Sequence, residues 1–318
     1  MSTLLSPTLL RDANCQDLWF QPFGFQLKIV TNSKAVAAAA ATLFAPFGSL
    51  SAGASPDFTF HLLELPNEGG PLTQPDFRLD GDQVWREMGE DTRLVASRAT
   101  GLAEGYFTQN VLAVQPFFRA HFLELAFFWM LAPRGIMGVH GAALVHNGRA
   151  ILLRAQSGGG KTTLAYAGAR RRFQALAEDV VWLDWQRGCW WGTPWTFHLL
   201  PDAKYLFPEL SDYQPVLQIN GETKLEVNLE TIRPGSTTFS AQPGAIVLVE
   251  RLPGGESRLE PVDFVDARAY WLAGAAGNEV DFPNYDNRLE NLLTGNTYRL
   301  YFGDDIEAGV ELLASLWE

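Results

Sequence analysis

The chain has 318 residues, 47% of them hydrophobic, with 10 Trp, 21 Phe and a net charge of −12. That length and apolar content predict one large or two modest globular domains and exclude a disordered chain. The acidic balance argues against a general nucleic-acid binder and against an anionic membrane surface as a partner. The two cysteines, Cys15 and Cys189, make neither a disulfide framework nor a metal-ligand pair, which suits a reducing cytosol. Residues 1–12 read as a loose tail, without the basic start and apolar run of a signal peptide. The most apolar stretches, residues 36–47 and 122–133, are too short to span a bilayer. A soluble, cytoplasmic protein without a membrane partner is expected.

Residues 23–31 alternate as a strand does, and residues 33–44 are Ala-rich and helical, stopped at Pro46-Phe47-Gly48. A second strand is expected over residues 58–65, then a loop over 66–75. Short strands follow around 77–79, 83–88, 93–96 and 102–108. These make an N-terminal α+β module over residues 1–112. Residues 117–131 predict one long apolar helix, so 113–134 is taken as a connecting helix and 135–318 as a second domain.

The second domain opens on Gly138-Val139-His140-Gly141. A hairpin follows, with strands at 142–145 and 149–153 around an Asn147-Gly148 turn. Its second strand leads into Arg154-Ala155-Gln156-Ser157-Gly158-Gly159-Gly160-Lys161-Thr162-Thr163, and a helical run begins at Leu164. Strand, glycine-rich loop, Lys-Thr and helix are the layout of a phosphate-binding P-loop. Glycines let the backbone bend round a polyphosphate and point several N–H groups inward. The new helix adds its positive end. Ser157, Gly158, Gly159, Gly160, Lys161, Thr162 and Thr163 are the candidate nucleotide-binding residues. Lys161 would reach the outer phosphates and the Thr162 hydroxyl would ligate Mg²⁺. The usual pattern opens with Gly where this chain has Ala155. A methyl there costs about 1–2 kcal/mol if the backbone is left-handed, and nothing otherwise. The alternative is a β-to-α turn that binds nothing. Arg170-Arg171-Arg172 complements the helix C-terminus, or makes a docking patch for an acidic substrate.

Residues 175–184 read as one apolar strand carrying Glu178 and Asp179. Burying a carboxylate costs on the order of several kcal/mol unless it is paired or binds a metal. Mg²⁺ at Thr162 or the Lys161 ammonium would serve; an exposed strand end is the alternative. His140, taken alone, reads best as a turn histidine bonded to backbone. Beyond Trp190, Trp191 and Trp195, residues 216–227 predict a hairpin around Asn220-Gly221, and 244–250 a buried strand. Helices are expected over 266–276, 285–293 and 304–316, with a strand over 297–301. There is no internal repeat.

Val139-His140-Gly141-Ala142, Asn147-Gly148-Arg149, the loop from Ser157 to Thr162, and Ala177-Glu178-Asp179 fall in an order that resembles the catalytic domain of HPr kinase/phosphorylase and its broader group of HPr-kinase-like serine kinases. The specific match runs from residue 140 to residue 183, and a looser one continues to the C-terminus. The motifs are specific in combination and weak singly. The resemblance implies an α/β fold: an HPr-kinase-like (PEP-carboxykinase-like) P-loop domain beside the smaller N-terminal module. It implies ATP and Mg²⁺ as cofactors, Lys161 on phosphate, Thr162 as metal ligand, Asp179 as acceptor of the target serine's proton, and His140 as an active-site histidine. Glu178 stands where the family has Asp and keeps the charge, for the metal shell or for orienting Asp179. A metal role is also assigned to Asp179 and Asp202.

The departures are Ala155 for the first glycine, Thr163 for the family's acid after the loop, and no Arg-Gly-x-Gly segment. In its place stand the stretch from His198 to Asp202 and Asn220-Gly221-Glu222-Thr223-Lys224, where Lys224 is a candidate phosphate contact. HPr itself is therefore in doubt as the substrate, as is phosphorolysis. The expected function is transfer of the γ-phosphoryl group of ATP to a hydroxyl, foremost a serine of a protein or peptide. The alternatives are a kinase of a small-molecule alcohol and an inactive nucleotide-binding sensor or scaffold. HPr kinases assemble into rings, so a homo-oligomer is among the expectations.

Overall fold

The computed structural model describes residues 14–48, 55–218, 221–275, 277–280 and 282–317. The chain is of mixed α/β class and divides into two units, Met1–Gly135 and Ile136–Glu318. Among the described residues no helix is long and apolar enough to cross a membrane. The tail expected over 1–12, Asn220 of the expected turn, and Ala276 lie outside the described residues.

In the first unit, strands β1 (Gln16–Phe20), β2 (Leu27–Thr31), β3 (Phe58–Glu64), β4 (Asp76–Asp80), β5 (Gln83–Met88), β6 (Thr92–Ser97) and β7 (Leu102–Phe107) form a seven-stranded sheet among the described residues. Its order is β1-β2-β3-β7-β6-β5-β4. The β2, β3 and β7 strands run parallel, and the remaining pairs are antiparallel. Residues 23–31 are not one strand. Phe23 turns left-handed at φ 53° inside the 3-10 turn Pro22–Gly24 and is fully buried, so the chain corners there before β2 begins. The helix Lys34–Phe44 starts where Ser33 Oγ accepts the N–H groups of Ala35 and Val36, at 3.2 and 3.3 Å.

The stretch expected as one connecting helix is broken. It runs as Gln109–Ala113, Gln115–Phe118, a π-helical turn Arg119–Glu124, Leu125–Trp129 and a 3-10 turn Ala132–Arg134. Pro116, which lacks an N–H, opens the second piece. The whole stretch lies in the first unit, because its aromatic residues complete that unit's core. Phe127 is 1% exposed and meets the rings of Phe23 at 5.5 Å, Phe44 at 5.3 Å and Phe58 at 5.7 Å. Phe107 likewise meets Phe118 and Phe122.

In the second unit the strands are β8 (Ile136–His140), β9 (Ala142–His146), β10 (Arg149–Ala155), β11 (Gln174–Ala177), β12 (Val180–Asp184), β13 (Cys189–Trp191), β14 (Phe197–Leu199), β15 (Val216–Leu217), β16 (Thr223–Val227), β17 (Ser240–Arg251), β18 (Arg258–Pro261) and β19 (Thr297–Phe302). The main sheet has the order β11-β9-β10-β17-β13-β12-β8, with β19 also on β17 and β18 on β19. A small sheet has the order β14-β16-β15. The β17 strand runs parallel to both β10 and β19, and Val247 to Val249 are fully buried, as a continuous apolar run between two neighbours requires. The expected hairpin is β9 and β10, paired from His146↔Arg149 to Ala142↔Leu153. Asn147 (φ 49°) and Gly148 (φ 76°) both take the positive φ that a two-residue I′ turn needs. Helices Lys161–Ala169 and Ile306–Ala314 share one core with β10 and β17, through Leu164, Tyr166, Leu153, Val247, Val310 and Leu313.

Phe127→Ala removes a ring at the centre of the first unit's core. It is expected to destabilise that unit by about 3–5 kcal/mol. Denaturant unfolding monitored by near-UV signals would show the loss, and a change under 1 kcal/mol, roughly the scale of a surface substitution, would contradict this packing.

Candidate active site

The site is made where two strands break at the same level. The β8 strand passes through Gly141 into β9, and β11 passes through Glu178-Asp179 into β12. The four pieces pair antiparallel, with Val180↔His140 on one side of the break and Ala177↔Ala143 on the other. The Gly141 N–H donates to the Asp179 carbonyl across the break, at 2.9 Å. Residues 175–184 are therefore not one strand. Beyond the break the two halves take different neighbours, β9 joining β10 and β12 joining β13. The break also changes which way the acids face. In an unbroken strand, adjacent side chains point to opposite faces. Here Glu178 and Asp179 both turn to the glycine-rich loop.

That loop leaves β10 at Ala155 and enters the helix Lys161–Ala169, with Gly160 (φ 80°) at the helix N-cap. Ala155 is paired with Val249 as an ordinary strand residue, so its methyl carries no left-handed strain. The methyl acts elsewhere. A Cβ on Gly159 would stand 2.9 Å from it and 3.0 Å from the Gln156 carbonyl oxygen, so only glycine fits at 159. Ser157 and Gly158 are exposed, and Thr162 and Thr163 are half-buried in the helix's first turn.

The loop's cation and hydroxyl each meet one acid. Lys161 is 8% exposed, and its ammonium donates to Asp179 Oδ1 at 3.2 Å and to the Glu178 carbonyl at 3.3 Å. The Thr162 hydroxyl donates to Glu178 Oε1 at 3.1 Å. Two histidines complete the group. His140 Nδ1 lies 3.2 Å from the same Asp179 Oδ1. His198 Nδ1 lies 3.4 Å from Glu178 Oε2.

The imidazoles are pushed in opposite directions. Partial burial, and then the Lys161 charge, pull His140 below its ordinary pKa against the opposing pull of Asp179. Lowering of the pKa favours the neutral imidazole. The hydrogen bond to Glu178 raises His198 above its ordinary pKa, against the effect of burial. His198 was not a candidate in the sequence. Its signal is local: Phe197 and Leu199 on either side are buried in the core, which turns His198 alone to the other face.

Two further residues escape sequence reasoning altogether. Arg154, one residue before the loop, is 2% exposed, and Glu279, from Gly277–Val280, is 1% exposed. They form a two-pronged ion pair, Nη1 to Oε1 at 3.3 Å and Nη2 to Oε2 at 3.1 Å. They are 125 residues apart, and no local pattern predicts such a pair.

Other candidates lie apart from this network. Asp202 is exposed at the start of the one-turn helix Ala203–Leu206, and no side-chain hydrogen bond or ion pair ties it to these residues. Lys224 pairs with Glu222 at 2.9 Å. The run of arginines after the loop helix forms ion pairs: Arg170 binds Glu209 and Glu307 at 2.9 Å each, and Arg171 and Arg172 bind Glu307 and Glu311.

Among the described residues no group of three or more His, Cys, Asp or Glu gathers as a metal site. Magnesium does not need one, since it binds through one or two protein oxygens, waters and substrate phosphates. The Thr162 hydroxyl and Glu178 carboxylate are hard oxygen donors side by side, and they fit that ion.

No protein-family model matches this chain, and no curated protein matches it. Among solved structures it is similar to the Hpr(Ser) kinase/phosphatase from Coxiella burnetii, with a TM-score of 0.29 and 11% identity over 56% of this chain and 94% of that one. A likeness that distant carries no argument about chemistry; the chemistry is read from the side chains at the break and the loop.

With no strain at 155 to relieve, Ala155→Gly is expected to lower stability by about 0.5–1 kcal/mol, the cost of a glycine in a strand. A variant that melts higher than the parent would contradict the strand geometry at this position.

Proposed function

We propose that this protein is an ATP- and Mg²⁺-dependent cytoplasmic kinase that transfers the γ-phosphoryl group to a hydroxyl, foremost a serine of a protein or peptide. One observation carries the proposal: at the start of one helix, the Lys161 ammonium contacts the Asp179 carboxylate and the adjacent Thr162 hydroxyl contacts the Glu178 carboxylate. A phosphate cradle, a hydroxyl-carboxylate pair for a metal and a second carboxylate for a proton then stand together.

Each group has its own task. The N–H groups of the loop from Ser157 to Thr162, apart from that of Gly159, which donates to the Gln156 carbonyl at 2.9 Å, and the Lys161 ammonium hold the phosphates and offset their charge. Thr162 and Glu178 are the residues that would hold magnesium, which when bound neutralises phosphate charge. The sequence-based assignment of Asp179 to the metal is less apt, because its Oδ1 already faces Lys161 and His140. Asp202 is left out of the metal set. Asp179 is more than half exposed and takes the acceptor's proton. As that proton leaves, the acceptor oxygen bonds to the γ-phosphorus, the bond to the β,γ-bridging oxygen breaks, and ADP departs. The His140 ring stands beside Asp179, with Nδ1 3.2 Å from Oδ1, and bounds the space the carboxylate occupies. Ala155 was the one feature in favour of an inactive nucleotide-binding module, and its ordinary backbone removes that support.

Lys161→Ala removes a charge-assisted phosphate contact. It is expected to weaken Mg²⁺–ATP binding about tenfold or more, corresponding to roughly 1.5–3 kcal/mol. Titration calorimetry measures this directly, and unchanged affinity would reject the phosphate-cradle assignment.

Asp179→Asn keeps size and hydrogen bonding but has no basic oxygen. Transfer to a serine-containing acceptor is expected to fall about 10²–10⁴-fold, with ATP affinity at saturating Mg²⁺ changed only a few-fold. Transfer from γ-labelled ATP to proteins of a cell extract, with the wild type and the variant side by side, is the assay. A variant as fast as the wild type would move the proton-accepting role elsewhere, and a wild type that labels no protein, peptide or small alcohol would sink the kinase reading.

A further inference from the structure

We propose that Glu279, held by Arg154, is a positioning residue for His140; this rests on the kinase reading. The observation is a closed set of contacts around the backbone of one residue. The Glu279 Oε1 atom accepts the His140 backbone N–H at 3.0 Å. Arg154 Nη1 donates to the His140 carbonyl at 3.1 Å and also to Glu279 Oε1 at 3.3 Å. Both polar groups of His140's backbone are thus gripped by one buried ion pair. The pair is itself fixed. Arg154 Nη2 donates to the Trp271 carbonyl at 3.2 Å, the guanidinium lies over the Trp271 ring at 4.1 Å, and Trp271 Nε1 donates to the Tyr285 hydroxyl at 3.0 Å.

The chemistry of the site explains why such a grip is useful. His140 is the last residue of β8, at the break. Its N–H goes to a side chain rather than to a neighbouring strand. Unheld, the backbone could pivot and carry the ring away from Asp179, whose side chain is 59% exposed and, among the charged groups of the described residues, contacts Lys161 and His140. Replacing a buried ion pair by a hydrophobic pair of similar volume is often neutral or stabilising, so stability does not require the charges. The ionic pair is the choice that also offers a carboxylate to an amide and a guanidinium to a carbonyl. It ties the helical segment after Trp271 to the reacting acid through backbone contacts, with no contact to the substrate. Displacing a reacting group by ~1 Å costs up to about 10²-fold in rate, so a grip of this kind acts on kcat and not on nucleotide binding.

The test uses two variants of the full chain. Glu279→Asp keeps the charge beside Arg154 but shortens the reach to the His140 N–H. Arg154→Met combined with Glu279→Leu removes both charges together, so no unpaired charge is left buried. Both are expected to stay folded. In both, kcat should fall about 10- to 100-fold while KM for Mg²⁺–ATP stays unchanged, since the loop is untouched. In a His140→Ala background, Glu279→Asp should cost nothing further, because the residue it acts through is gone. Amide hydrogen exchange at His140 should speed up in both variants. Wild-type kcat in a folded variant, a penalty that adds in full to that of His140→Ala, or unchanged protection of the His140 amide would each overturn the assignment. If the wild-type protein transfers no phosphoryl group, the kinase reading fails, and the exchange comparison still decides whether Glu279 holds His140.

Discussion

The paired break at His140-Gly141 and Glu178-Asp179 is the constraint on which the second unit's geometry depends. Two strands that stayed regular would carry β8 and β9 along one line and leave one of the two acids facing away from the loop. Breaking both at one level lets the sheet take β10 and β17 on one side and β13 on the other, and leaves two carboxylates where the strands part. Gly141 makes the turn feasible, since a Cβ there would stand 2.8 Å from the Leu152 side chain and 3.0 Å from the Leu153 carbonyl oxygen. The loop after β10 then opens directly onto those acids.

Charge pairing around the break is nearly complete, and it holds geometry more than it supplies stability. A buried ion pair returns little net free energy, because desolvation offsets most of its attraction. The buried Arg154–Glu279 pair and the half-exposed Lys161–Asp179 pair are better understood as fixing directions: the first orients the His140 backbone, the second holds an ammonium at the mouth of the loop. The two histidines record the asymmetry between the acids. His198, bonded to the more enclosed Glu178, is shifted up, and His140, partly buried and then crowded by Lys161, is shifted down. Two carboxylates adjacent in the chain thus occupy different electrostatic surroundings, the usual basis for giving them different tasks.

The first unit is held by another kind of interaction. Its seven-stranded sheet and its broken helical stretch share a core of interlocked aromatic rings, packed edge to face in most pairs. The breaks in the helical stretch come from that packing. A single straight helix would carry its Phe residues round the cylinder at 100° steps, whereas the short pieces and the π-helical turn keep Phe118, Phe122 and Phe127 all buried.

What the sequence determined by itself was local. The hairpin over 142–153 was legible from Asn147-Gly148 between apolar runs, the loop from its glycines and Lys161, and the long strand β17 from continuous apolar residues. Each depends on neighbours within a few positions. The juxtaposition of Lys161 and Thr162 with Glu178 and Asp179 was anticipated because all four lie in a single β-loop-α-β stretch, although the break between β11 and β12 was not. A corner at Phe23 and a segmented helix at 109–134 went unread, since core packing overrode the alternation and the apolar run. His198 carried only the local alternation of Phe197 and Leu199, and Arg154 and Glu279 were decided by tertiary structure alone. An arginine at the end of a buried strand and a glutamate in a short helix carry no periodic signal, and none of the three residues names its partner. Their meaning comes from partners 20, 14 and 125 positions away, brought within hydrogen-bonding distance only when the sheet closes.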